Sequence, residues 1–161
     1  MLKIMFAAIL ITLAIAPSHA ADSYVGVKLG KAKSNTAGAA YTPSTFGVLA
    51  GRMFDPNWAV EAEYLDLGNI AAANTSAISL SAVGLYPGNE PFSLFAKLGL
   101  AHTRWAAPDQ VQGKSFLSYG LGGQYDFTLT ESIRIGWELY KIGNQVTTKV
   151  EVLSVTGMIQ F

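Results

Sequence analysis

Cysteine is absent from all 161 residues. A chain without thiols has no disulfide framework and no thiolate metal site, so its stability must come from the backbone and the surroundings. Charge is scarce as well: Asp, Glu, Lys and Arg make up 14% of the residues, with 11 of each sign. That balance offers no basic footprint for a nucleic-acid partner. Only two histidines occur, at His19 and His102, and no His/Asp/Glu spacing suggests a metal site. No phosphate-cradling glycine loop is present, so no cofactor is expected. Beyond residue 20 no apolar run approaches the roughly 20 residues of a membrane-spanning helix, yet 50% of the chain is hydrophobic.

What is present begins with a secretory leader. Lys3 supplies a positive start, Ile4 to Ala16 an apolar run too short to span, and Pro17-Ser18-His19-Ala20 a small-residue cleavage site. The expected organisation is a signal peptide at 1–20 and one domain at 21–161. Lys3 is the only charge removed by cleavage, which leaves ten basic against eleven acidic residues, a net of −1.

In the remainder, apolar and polar side chains alternate over eight segments: 22–31, 45–54, 58–68, 76–86, 92–104, 116–127, 131–142 and 149–161. Each is long enough to cross a bilayer as a tilted strand, for which about 9 to 11 residues suffice. After the second, fourth and sixth segments the connections are short: Asp55-Pro56-Asn57, Pro87 to Pro91, and Thr128 to Thr130. After the first, third, fifth and seventh they are mostly longer and rich in small polar residues: 32–44, 69–75, 105–115 and 143–148. Short turns on one rim and long loops on the other are the asymmetry of a single-chain outer-membrane barrel. The expected fold is therefore all-β: an eight-stranded antiparallel up-and-down transmembrane β-barrel.

The alternation also decides which face meets lipid. A soluble barrel would turn its charges outward, but here Lys28, Glu61, Glu63, Lys97, Arg134 and Glu138, with Arg52 counted among them, share the face that holds most of the glycines. Seven charges of both signs cannot form the dry core of a small soluble domain without large desolvation terms. They can fill the lumen of an eight-stranded barrel. Phe54, Trp58, Tyr86, Phe92, Tyr125, Phe127 and Phe161 fall at the short-turn ends, and Tyr64, Trp105 and Trp137 nearer the loop side, as interfacial aromatics do. His102 points outward near the loop rim. The residue two after it is Arg104, so the sequence supports no histidine-serine triad, and no catalytic residue is assigned.

The stretches 46–64, 95–105, 119–127 and 132–140 resemble the OmpA-type eight-stranded outer-membrane barrels, and the resemblance covers the whole chain after the leader. It implies that acidic and basic residues on neighbouring strands pair inside the lumen, at Glu61, Lys97 and Arg134. It implies that the terminal aromatic, Phe161, is the signal by which barrel-assembly machinery reads the last strand. Val83 and Gln124 stand where such barrels more often carry a Lys and a Glu, so their gating ion pair is expected to be absent or rebuilt. The family's peptidoglycan-binding C-terminal domain is not expected after Phe161.

These features point to a protein of the bacterial outer membrane, exported by a cleaved leader. Its partners would be outer-membrane lipid, lipopolysaccharide, the assembly machinery, and a host or envelope component at loops 32–44 and 105–115. A structural or surface-interaction role is the leading expectation. A small passive pore is the alternative, and a lipid-modifying enzyme a third.

Overall fold

The computed structural model describes residues 23–36, 39–70, 73–88, 91–107, 110–142 and 148–161. The leader and its cleavage site lie outside them. Eight long strands form the wall: β1 (Ser23–Thr36), β3 (Ser44–Asp55), β4 (Trp58–Ile70), β5 (Ala73–Pro87), β6 (Phe92–Ala107), β7 (Gln110–Asp126), β8 (Glu131–Ile142) and β9 (Thr148–Gln160), with a short β2 (Ala39–Tyr41) between β1 and β3. Each long strand pairs antiparallel with the next long strand, β2 pairs with β1, and β1 also pairs with β9 from Tyr24↔Gln160 to Ser34↔Val150. That last pairing closes the sheet on itself and leaves no edge strand in the wall.

Alternation along each strand follows the expected faces. Leu29, Leu80, Leu98, Leu100, Leu121, Ile135 and Leu153 are exposed outward, while Lys28, Glu61, Ser81, Lys97 and Thr156 are buried inside. An apolar exterior around a polar interior is the arrangement a hydrocarbon solvent selects. At the short-turn rim the aromatic side chains Phe54, Trp58, Tyr86, Phe92, Tyr125, Phe127 and Phe161 are all exposed. On the loop side Trp137 stacks obliquely on Tyr119, with ring centroids 6.1 Å apart. Trp105 departs from the girdle expected of it. Its side chain packs against the buried interior cluster, and its Nε1 donates to the Ile70 carbonyl at 3.4 Å.

The expected long loops are mostly ladder. Residues 105–107 pair with 110–112 as Trp105↔Gln112, Ala106↔Val111 and Ala107↔Gln110. Likewise 68–70 pairs with 73–75, from Gly68↔Thr75 to Ile70↔Ala73, and 34–36 pairs with 39–41. Small polar residues suit loops, but outside the hydrocarbon a strand needs no apolar face, and the ladder extends as long as cross-strand partners remain. The expected loop at 143–148 lies outside the described residues except for Thr148, the first residue of β9.

Two interruptions of this ladder sit side by side. Pro43 separates β2 from β3, because it has no N–H to donate, although its carbonyl still accepts from the Ala32 N–H at 2.9 Å. Facing it, β4 bulges between Asp66 and Gly68. Gly68 adopts φ +73°, and a Cβ there would lie 2.8 Å from the Pro43 Cβ, so only glycine meets both demands. The bulge inserts one residue and changes the strand's parity, which is how both Leu67 and Ile70 come to face inward.

Leu98 lies on the lipid face, 56% exposed, opposite Ala82 and Tyr119. Leu98→Arg is expected to destabilise the barrel in lipid by about 2 to 4 kcal/mol. Urea unfolding from vesicles followed by tryptophan fluorescence measures this, and an unchanged midpoint would mean that the face assignment is reversed.

Candidate functional site

The lumen is organised in layers, and its centre is ionic. Lys28 comes from β1, Glu61 and Glu63 from β4, Lys97 from β6, and Arg134 and Glu138 from β8; all six are buried. These are alternate strands of the wall. The strands between them supply small side chains at the same height. Lys28 lies opposite Gly47 and Thr156, Glu61 opposite Gly51 and Ser81, and Glu63 opposite Ser79. Lys97 and Glu138 both lie opposite Gly120. Long charged groups thus enter from every second strand; on the others glycine, serine or threonine leaves them room on one side, while Leu49, Val83 and Val152 lie opposite Glu63, Lys97 and Glu138 and pack against them.

The six charges interlock. Lys28 Nζ donates to Glu63 Oε1 at 2.8 Å and Glu138 Oε1 at 2.7 Å. Lys97 Nζ donates to Glu63 Oε2 at 2.5 Å and lies 3.3 Å from Glu61 Oε2 and 3.5 Å from Glu138 Oε1. Glu61 Oε2 has no well-aligned hydrogen bond, so the nearby Lys97 ammonium is what neutralises it. Arg134 Nη1 donates to Glu61 Oε1, and its guanidinium also spans Gln124 Oε1, from Nε at 3.3 Å and Nη2 at 3.0 Å. The guanidinium carbon lies 4.6 Å from the Phe95 ring centroid, a cation–π contact strengthened by exclusion of water.

Three acids against three bases make this layer neutral. Arg52, expected to be the seventh member, is exposed instead and lies opposite Ser23 and Val60 on the outer face. The inward position beside it is Gly51, where an added Cβ would run into the Tyr24 ring. Two residues before Phe54, Arg52 stands near the short-turn rim, where a long cationic side chain can reach the headgroup region.

Residues not singled out in the sequence complete the layer. The Tyr24 hydroxyl donates to Glu61 Oε1 at 2.7 Å, and the Tyr140 hydroxyl donates to Glu138 Oε2 at 2.5 Å and lies 3.3 Å from Glu63 Oε1. Strand parity is the signal that finds them, since Tyr24 is four residues before Lys28 and Tyr140 two after Glu138. Val83 is fully buried among Leu49, Ala59, Phe95 and Met158. Gln124 has taken over part of the salt-bridging task as a neutral acceptor for Arg134 and donates to Asp126 Oδ1 at 2.8 Å.

Apolar side chains seal the ionic layer on both sides. Toward the loop rim lie Leu65, Leu67, Ile70, Tyr140, Ile142, Val150 and Val152, and toward the short-turn rim Leu49, Val83, Phe95 and Met158, with Met53 and Leu85 beside them. Below, a vestibule of about 550 Å³ opens at the short-turn rim, lined by Met53, Leu85, Phe92, Gln124 and Gln160 among others. It narrows beneath Arg134 to a space of about 20 Å³, room for about one water.

Elsewhere, His102 faces outward as expected, but the ladder sets Ser115 opposite it, with His102 Nδ1 3.1 Å from the serine Oγ. That proximity comes from the neighbouring strand and could not be read from local spacing. Among the described residues no carboxylate is hydrogen-bonded to the ring, and no group of three or more His, Cys, Asp or Glu could hold a metal. Phe161 is half exposed at the rim and exchanges backbone hydrogen bonds with Ser23.

Glu63 binds two ammonium groups, so removing its charge strands both. Glu63→Gln is expected to destabilise the barrel by about 3 to 5 kcal/mol, and Glu63→Gln combined with Lys97→Met by less than the sum of the single changes. A double-mutant cycle on urea midpoints in detergent micelles measures the coupling; strict additivity would show that the layer is not a unit.

Comparison with solved structures places this architecture. Ail, the attachment invasion locus protein of Yersinia pestis, in complex with the heparin analogue sucrose octasulfate, aligns with a TM-score of 0.65 at 18% identity, over 89% of this chain and 100% of Ail. Neisserial surface protein A aligns with a TM-score of 0.67 at 17% identity, over 89% and 100%. The N-terminal β-barrel domain of Pseudomonas aeruginosa OprF aligns at 0.61 and 14%, over 87% and 100%. No curated protein sequence matches this chain. The profile of the outer membrane protein beta-barrel domain matches residues 6–158, and with the closed, lipid-facing wall and ionic lumen in view, the chain belongs to that outer-membrane β-barrel family.

Proposed function

We propose that this protein is a closed outer-membrane scaffold that carries its loop-side hairpins to the outside of the cell and acts through them, after export by a leader cleaved behind Ala20. The observation that carries this reading is the filled lumen. A neutral ionic layer between two apolar seals leaves the vestibule beneath Arg134 without a continuation of useful width. A passive pore would need that path open. The rigid wall extends past the apolar belt as ladder, notably at 105–107 with 110–112, and recognition elements are commonly held this way on fixed scaffolds. Ail, named for attachment and solved with a heparin analogue, supports an adhesive or surface-binding role for the hairpins at 32–44 and 105–115, with a host or envelope component as partner.

An enzymatic reading rests on His102 and Ser115. A nucleophile and a base are in reach of one another, but a triad also needs a group that orients the base, and the described residues place no acid there. The scaffold reading is the better supported.

Reconstituted into a planar bilayer, the protein is expected to give a quiet baseline, whereas discrete, voltage-independent channel steps would favour the pore. We also propose that Phe161 is read by the assembly machinery. Deleting it is expected to lower the amount of heat-modifiable barrel in the outer membrane several-fold, and full assembly of the truncated chain would count against the role.

A further inference from the structure

On the loop side, the outward positions of the wall change from apolar to polar along a line that can be followed around the barrel: Leu29 to Lys31, Tyr64 to Asp66, Ile78 to Ser76, Leu100 to His102, Leu117 to Ser115, Leu139 to Lys141 and Leu153 to Glu151. That line marks the edge of the hydrocarbon. Just beyond it on β8 and β9, Lys141 lies directly opposite Lys149. Both point outward, because the flanking Ile142, Thr148 and Val150 are buried inside.

Like charges directly opposite in a ladder repel and are destabilising. Among the described residues neither lysine has an ion-pair partner. The nearest acid on this face, Glu151, lies opposite Lys33 of β1 and Leu139 of β8, so one carboxylate stands beside three lysines. An unmatched cation pair in a wall so thoroughly neutralised inside calls for an anion from outside the chain. Its height says which. Successive same-face residues on a strand are about 7 Å apart, so Lys141 stands about that far beyond Leu139, the last apolar residue at an outward position of its strand. The polar headgroup layer is about 5 to 7 Å thick on each side of the hydrocarbon. The pair is thus level with the phosphates of the outer leaflet and stands over the half-buried Trp137 and the exposed Leu153, while Leu139 between them is covered by its neighbours.

We propose that Lys141 and Lys149 form a clamp for a phosphate of an anionic glycolipid in the outer leaflet, of the lipopolysaccharide class, with the apolar side chains beneath them receiving its acyl chains. The inference rests on the barrel standing in the outer membrane with its long hairpins outward. In this arrangement the anion turns a repulsive cross-strand pair into a bridged one, so the same two lysines weaken the barrel in one lipid and strengthen it in another.

That reversal of sign is the test. Wild type and the variants Lys149→Gln and Lys141→Gln/Lys149→Gln are refolded into vesicles of phosphatidylcholine alone, with bisphosphorylated lipid A, or with dephosphorylated lipid A, and unfolded in urea. In phosphatidylcholine and with dephosphorylated lipid A the variants are expected to match or exceed wild type. With bisphosphorylated lipid A they are expected to fall below it, and affinity for the glycolipid should drop about fivefold per lysine removed. Equal responses of wild type and double variant to the phosphates would overturn the clamp, as would variant effects of one sign in all three lipids. A stabilisation of wild type by inorganic phosphate matching that of the lipid would overturn the assignment to a lipid headgroup. Failure of wild type to insert into any vesicle would overturn the membrane reading beneath the inference, and the clamp with it.

Discussion

Hydrocarbon offers no hydrogen bonds, and that constraint organises the rest of this molecule. Each backbone N–H and C=O in the bilayer must find a partner within the chain, and an unmet group costs several kcal/mol. A flat sheet of eight strands would leave two open edges. The β1–β9 pairing from Tyr24↔Gln160 to Ser34↔Val150 removes them. Closure does more than satisfy the backbone, because it creates an inside. Every second residue must then be enclosed in a tube too narrow for bulk water, while the others face lipid.

What occupies the tube follows from its width. Eight strands enclose space for side chains and little else. Six ionised groups placed there are costly to desolvate unless each is matched, and here three acids meet three bases, with Tyr24, Tyr140 and Gln124 taking up remaining donors and acceptors. The matching depends on a division of labour between strands. Charges project from β1, β4, β6 and β8, and the intervening strands give Gly47, Gly51, Ser79, Ser81 and Gly120 at the same height. A larger side chain at Gly51 would displace Tyr24 from its bond to Glu61, so the small residues set the geometry of the ions as firmly as the ions themselves do.

The two rims obey different rules because they leave the membrane in different ways. At the short-turn rim the chain reverses at once, with aromatic side chains around the edge and a blind vestibule inside. At the other rim the ladders run on past the apolar belt, interrupted by Pro43 and bulged at Gly68, and carry polar side chains outward. There the wall ceases to be a lipid-facing surface and becomes one that can meet headgroups or another molecule.

Alternation with a period of two, turn chemistry and the scarcity of charge were enough to settle the all-β barrel, the number of wall strands and the face on which six of the charges lie, because each of these depends on local order along one strand. The same pattern could not show where a ladder stops, since small polar residues suit both loops and strands outside the membrane; hence the expected loops at 69–75 and 105–115 are largely paired. Nor could it place Arg52, which one position of register moves from lumen to outer face, or Trp105, which closes the lumen rather than lining the membrane edge. Which acid meets which base, how Gln124 stands in for a carboxylate, the approach of Ser115 to His102 and the opposition of Lys141 and Lys149 are all contacts between strands. Only register decides those, because the side chains that meet across a ladder can be a hundred residues apart in the chain and are brought together solely by the closing of the sheet.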